Sequence, residues 1–322
     1  MRSVFAAFCA VILLAFAATP ATAQAWPKGP VRLIVPAAPG GPTDLLARAI
    51  AQKLSEDLGQ SFIVDNRPGA AAQVGSAMVA RAASDGYTLG VGTLATLALA
   101  PFLARTPVYD PRRDFTPVAM LTQLPQLMAT PAQLPGGFEA FIDFARRHRD
   151  AMNYSTNGVG STGHILGEMV LRKFGLQAAH VPYGGDVPIL NALMGEQVQL
   201  GILAIPAAAE FIKAGRINAL AMTGARRSPI LPDVPTIVEL GYPDLVSTSW
   251  FCIVAPAGTP ADVVELANRA INAALATPQV LQVFKAAGLE PEPMRTTATQ
   301  SFVAAEQDKW SAAIKTLDIH VD

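Results

Sequence analysis

Two short polar loops hold most of the residues of this 322-residue chain that could do chemistry. The first is Pro39-Gly40-Gly41-Pro42-Thr43-Asp44, directly behind a β-branched run, Val31 to Val35. The second runs from Ser155, Thr156 and Asn157 through Gly158, Gly160, Ser161 and Thr162 to His164, behind the extended stretch 152–155. In both, a strand stops, small and hydroxyl residues turn the chain, and a periodic helix begins. A helix N-terminus leaves free backbone N–H groups and a partial positive charge, so such a joint suits a carboxylate or phosphate. Gly40 and Gly41 lack a Cβ, which lets an anion approach the main chain. Ser155, Thr156 and Thr162 add hydroxyls, and His164 adds a ring nitrogen in the first helical turn.

Covalent chemistry is poorly provided for. Ser161 or Ser155 with His164 forms the available nucleophile–base combination and leaves a secreted serine hydrolase as an alternative. Yet Val159-Gly160-Ser161-Thr162-Gly163 departs from the nucleophile elbow, because Val159 stands where that motif needs Gly. The chain contains no H-E-x-x-H, no P-loop and no complete G-x-G-x-x-G behind a strand. His148, His164, His180 and His320 lack metal-ligand spacing, so neither a metal nor another cofactor is expected. His148 and His320 read as surface residues, and His180, in the short run 179–182, as a buried histidine with its hydrogen bonds met. Two polar loops without a placed catalytic base or metal favour binding over catalysis.

The N-terminus tells where this happens. Arg2, the apolar run Val4 to Ala18, Pro20 and Ala21-Thr22-Ala23 make the three parts of a secretory signal peptide. Residues 1–23 are expected to be removed, with cleavage after Ala25 as the second choice. The apolar run is shorter than the roughly 20 residues a membrane span requires. Cys9 leaves with this leader, so Cys252 has no internal disulfide partner. Lys and Arg number 24 against 25 Asp and Glu, a net charge of −1 that loses one more positive charge with Arg2. Nothing in that balance suggests nucleic acid or a membrane surface. Roughly 300 mature residues exceed a comfortable single core, so two domains are expected.

The elements that must position the loops alternate. Strand 31–35, helix 45–58, strand 62–65, helix 73–82 and strand 87–91 make one parallel, right-handed α/β unit. Extended segments 114–122 and 127–130 lead to a second unit: helix 138–148, strand 152–155, helix 163–174, strand 179–182, helix 188–194, strand 198–203, helix 207–214 and strand 217–223. A strand near 248–254 then returns to the first unit. Helices follow near 261, at 280–287 and at 302–315, the last behind a capping box at Thr297-Ala298-Thr299-Gln300. The lobes are placed at 24–124 with 247–322, and at 125–246.

Ordered motifs across the whole mature chain carry a likeness. They include Arg32-Leu33-Ile34-Val35-Pro36 with Pro39-Gly40-Gly41 and Thr43-Asp44, then Asp65-Asn66-Arg67-Pro68-Gly69-Ala70 and Asp85-Gly86-Tyr87-Thr88-Leu89. Val181-Pro182-Tyr183, Asp233-Val234-Pro235-Thr236, Thr248-Ser249-Trp250 and Ala255-Pro256-Ala257-Gly258-Thr259-Pro260 continue it. The chain resembles the Bug (Bordetella uptake gene) family, solute receptors of tripartite tricarboxylate transporters.

That resemblance implies a two-lobed α/β periplasmic binding fold, each lobe a mostly parallel sheet flanked by helices, closing on a small carboxylate. It implies a monomer whose partners are membrane transporter subunits or a sensor kinase. Carried onto this sequence, Pro39, Gly40, Gly41, Thr43 and Asp44 match the first-lobe site, with Thr93 beside it. Ser155, Asn157, Thr162 and His164 match the second-lobe loop. Relatives often carry Lys where this chain has Gly184, and Asp where it has Leu203. With Leu203 lining the cleft, the expected ligand is a carboxylate without a positive charge, its apolar body resting on Leu203.

Overall fold

The computed structural model describes residues 26–70, 72–148 and 151–317. The expected signal segment 1–23 lies outside the described residues, as does His320. Nine strands form one sheet: β1 Val31–Val35, β2 Phe62–Asn66, β3 Thr88–Thr93, β4 Phe115–Pro131, β5 Asn153–Thr156, β6 Ala179–Pro182, β7 Leu200–Ala204, β8 Ile217–Met222 and β9 Thr248–Pro256. Their order is β2-β1-β3-β9-β4-β7-β5-β6, with β8 also paired to β4. The flanks are parallel, as the strand–helix alternation demands, and the strands joining them, β9 and β4, pair antiparallel.

The helices are α1 Pro42–Leu58, α2 Gln73–Ala80, α3 Ala100–Leu103, α4 Phe138–Arg147, α5 Thr162–Phe174, α6 Asp186–Met194, α7 Ile205–Lys213, α8 Ala261–Leu275, α9 Pro278–Ala286 and α10 Thr296–Leu317. They cover both faces of the sheet, so strand residues of either parity are buried. In β1, Leu33 and Val35 pack with α1, α8 and α9, while Ile34 joins the opposite cluster with Trp250, Cys252 and Trp310. In the other half, Ile202 packs with Tyr154 and Leu166, and its neighbour Leu203 packs with Leu190, Leu193 and Ala208. No described helix is long and apolar enough to cross a membrane.

β4 ties the halves together. Gln123, Leu124 and Pro125 pair with Trp250, Ser249 and Thr248 of β9; one residue on, Gln126 pairs with Ala204 of β7. Register shifts near Pro117, Met120 and Met128 bend the strand, so one 17-residue element serves both halves. Extended segments 114–122 and 127–130 are one strand, not two: polar residues and Pro125 interrupt the apolar pattern at 123–126, and pairing with β9 carries the strand across. Thr223 closes a second connection: its N–H donates to the Gln126 carbonyl at 2.9 Å, and its Oγ1 donates to the Ser247 carbonyl at 2.5 Å.

One element has no counterpart in the sequence analysis, and one local expectation fails. The apolar segment 95–103 forms a π-helical turn and α3, which no cap or period announced. The last helix begins at Thr296, and Thr299 Oγ1 donates back to the Arg295 carbonyl at 3.3 Å, so the expected capping box is not formed.

Candidate functional site

Strand register brings the loops together. Thr93 at the end of β3 pairs with Phe251, which pairs with Thr122, so β1 and β3 end just short of the 123–126 crossing. From the other half, β7 runs toward Gln126, and β5 runs parallel to it. Loops behind β1, β3, β5 and β7 therefore converge on the crossing from opposite sides. A cavity of about 1020 Å³ opens there. Its wall includes Gln123 to Gln126, Asn157, Ser161 and Thr162 before α5, Ala204 to Pro206 at the start of α7, and segment 287–293.

Segment 287–293 is held along β4. Thr122 Oγ1 donates to the Glu290 carbonyl at 2.7 Å, and the Glu292 N–H donates to the Leu121 carbonyl at 3.0 Å. From there it reaches the other half: a Cβ on Gly288 would come within 3.0 Å of Pro206. This wall came from no sequence motif, because its contacts are main-chain and long-range.

Of the residues singled out from sequence, Asn157 and Thr162 line the cavity, together with Ser161. Ser161 caps α5, its Oγ accepting from the His164 N–H at 3.2 Å. The His164 ring lies flat on His180 at 4.1 Å between centroids, and its Nδ1 accepts from the Gly160 N–H at 3.2 Å. Burial pushes the His164 ring below the ordinary histidine range, with Glu168 opposing. Burial pushes His180 down to about 4, aided by the neighbouring His164. Thr156 and Ser155 are fully buried; Thr156 Oγ1 bonds His180 Nε2 at 2.7 Å, and Ser155 Oγ donates to the Leu200 carbonyl. These side chains brace the second loop from beneath. Neither serine hydroxyl bonds an imidazole nitrogen, so among the described residues Ser155 and Ser161 form no nucleophile–base pair with His164.

Leu203 requires a correction. It is 0% exposed and packs beneath α6 and α7, so it is not the cleft's apolar floor. Helices on both faces of β7 bury consecutive residues, which defeats a reading based on strand alternation. Ala204 and Ile205 line the cavity in its place.

The first loop is pinned by Asp44, which is 2% exposed. Its Oδ2 accepts from the Gly40 N–H and from Arg48 Nε, both at 2.9 Å, and its Oδ1 accepts from Asn66 Nδ2 at 2.8 Å. Burial works against its charge, but these donors outweigh it and hold the carboxyl below its ordinary range. Asp44 thus shapes the loop from behind, leaving Pro39 and Gly40 exposed. Thr93 exchanges hydrogen bonds with Thr96, capping the π-helical turn. Pro39, Gly40, Gly41, Thr43, Asp44 and Thr93 lie outside the wall of the 1020 Å³ cavity, toward which their loops run.

Comparison with known proteins matches this fold. The family model described as "Tripartite tricarboxylate transporter family receptor" matches residues 46–319. Protein BugT of Bordetella pertussis is 35% identical over 300 residues, 92% of each chain. The solved R. palustris protein Rpa4515, with adipate, is 37% identical with a TM-score of 0.72, covering 92% of this chain and 99% of that one. The solved periplasmic binding protein BugD is 30% identical with a TM-score of 0.68, again over 92% and 99%. The family match begins at residue 46, just past the loop behind β1, and spans both halves of the sheet with the loops behind β3, β5 and β7; the chain belongs to the tripartite tricarboxylate transporter receptor (TctC/Bug) family of solute-binding proteins.

Proposed function

We propose that this protein is a periplasmic receptor that holds one small carboxylate between two lobes and delivers it to a tripartite tricarboxylate-type transporter or to a sensor kinase. The lobes are residues 24–124 with 247–322, and residues 125–246. The observation that carries the reading is the cavity at the β4 crossing, with the capped N-terminus of α5 and Asn157 in its wall. Free N–H groups there, at Thr162 and Gly163, suit a carboxylate. The adipate held by the R. palustris relative supports the ligand class. The apolar leader ending in Ala21-Thr22-Ala23 supports export, with mature protein beginning at Gln24 or Trp26.

Thermal unfolding across a panel of mono-, di- and hydroxycarboxylates tests the receptor. A ligand at one hundred times its dissociation constant stabilises by about 2.7 kcal/mol. One or a few members should raise the melting temperature by several degrees, and native mass spectrometry should find one ligand per chain. A panel without any shift removes the reading.

A further inference from the structure

Asp186 is an acid beside the cavity that the loop motifs did not single out. It opens α6 and is partly buried. Its Oδ1 accepts from Asn157 Nδ2 at 3.1 Å and from the Ala204 N–H at 3.2 Å. Both donors belong to residues of the cavity wall. Among the described residues no Lys, Arg or His forms an ion pair with it.

Three consequences follow from bonding chemistry. A carboxylate only accepts, so the Asn157 amide turns its nitrogen to Asp186 and leaves its oxygen free. The Ala204 N–H, the last donor of β7 before α7, is occupied. Pro206, at the second position of α7, has no N–H to offer. The first turn of α7 keeps the N–H groups of Ile205 and Ala207, so what sets this end of the cavity apart is the free Asn157 oxygen and the fixed negative charge beside it. At the α5 end, Ser161 takes the His164 N–H and leaves those of Thr162 and Gly163 for an anion.

We propose that Asp186 is a positioning residue that makes the cleft asymmetric. One carboxylate binds at α5, while the Asn157–α7 end takes a hydrogen-bond donor and repels a second carboxylate. The ligand class is thus monocarboxylates with a donor group at the far end, hydroxy acids foremost. This rests on the carboxylate-receptor reading above.

The test measures dissociation constants for two matched pairs, 4-hydroxybutyrate with succinate and 6-hydroxyhexanoate with adipate. The wild type should prefer the hydroxy acid of the pair that fits. Asp186→Asn keeps the shape and removes the charge, and should shift the ratio toward the dicarboxylate by about tenfold. Asp186→Ala should shift it the same way. An unchanged ratio in both variants overturns the proposal, as does a lower melting temperature with the ratio intact, which marks a purely structural role. Wild-type preference for the dicarboxylate overturns it directly. If nothing binds, in these pairs or in the wider panel, the receptor reading falls first and takes this proposal with it.

Discussion

Trp250 of β9 and Trp310 of α10 donate their indole N–H groups to the same oxygen, Oε2 of Glu306, at 3.1 and 2.9 Å. The other oxygen, Oε1, pairs with Lys309, which also donates to the Val246 carbonyl at 3.2 Å. Glu306 is 7% exposed and both tryptophans are fully buried. Its removal strands two buried donors and a half-buried ammonium. Glu306→Ala should therefore cost about 3–5 kcal/mol, or about 5–8 °C in melting temperature. Glu306→Gln, which keeps one acceptor, should cost less. Calorimetry on both variants checks the order; equal, small losses would show that the shared carboxylate is dispensable.

The first loop offers a cleaner mutational contrast than sequence suggested. Gly41 has φ −78°, open to any residue, and a Cβ there meets only the Ala38 carbonyl at 3.9 Å. Gly40 has φ +87°, where a β-branched side chain is strained. Gly41→Val should keep the melting temperature within about 2 °C, given a cost under about 0.5 kcal/mol, so a loss of carboxylate affinity in this variant reads out contact between the first loop and the ligand. Gly40→Val should lose about 1–2 kcal/mol of stability. Gly41→Val with wild-type affinity would place the ligand away from this loop.

How far the sequence could be read follows from the kind of signal each element leaves. Strands β1 to β3 and helices α1 and α5 announce themselves through β-branched runs, helical period and the closing glycines Gly59 and Gly175, both left-handed in the structure. The second loop was legible as far as Asn157 and Thr162, because a strand–loop–helix joint has a composition. Leu203 misled because a strand covered on both faces hides which side faces the cleft. Asp186 and segment 287–293 left no motif, since they reach the cavity through tertiary bonds to Ala204, Leu121 and Thr122. The continuous β4 was invisible for the same reason: its polar middle is held by its partner, not by its own propensity.

Arg226 and Glu292 join the halves of the sheet beside the cavity, with hydrogen bonds of 2.6 and 2.8 Å from one guanidinium nitrogen. The arginine side chain is 78% exposed, so the pair should add no more than about 1 kcal/mol to stability. Its effect should lie in ligand release instead, because it bridges a wall that must part for the ligand to leave. Arg226→Ala should leave the melting temperature of the free protein almost unchanged and speed carboxylate dissociation several-fold. Stopped-flow or surface-plasmon kinetics can measure that rate. Unchanged dissociation would show that the wall opens elsewhere.

The stacked histidines give the fold an acid-sensitive step. His180 is held at about 4, below the ordinary 6.5, first by burial and then by His164, whose own ring is lowered by burial. Tyr154, 4.8 Å away on the other face of His180, and Glu168, bonded to the Tyr154 hydroxyl at 2.5 Å, are the titratable groups packed around them. Both rings bind protons less readily folded than unfolded. Their contribution is therefore present above pH 6.5 and lost as pH falls from 6.5 through about 4. For His180 the loss is at most about 3 kcal/mol. Asp44, held below its ordinary 3.8, adds its own loss only below that window. The melting temperature should fall steadily between pH 6.5 and 4, and ligand affinity with it, because protonated His164 can no longer accept from the Gly160 N–H. His180→Phe preserves a stacked ring without a titrating group and should flatten the slope while lowering stability at pH 7.5 by about 1–2 kcal/mol, through the hydrogen bond lost to Thr156. A wild-type slope in that variant would move the acid response to other groups.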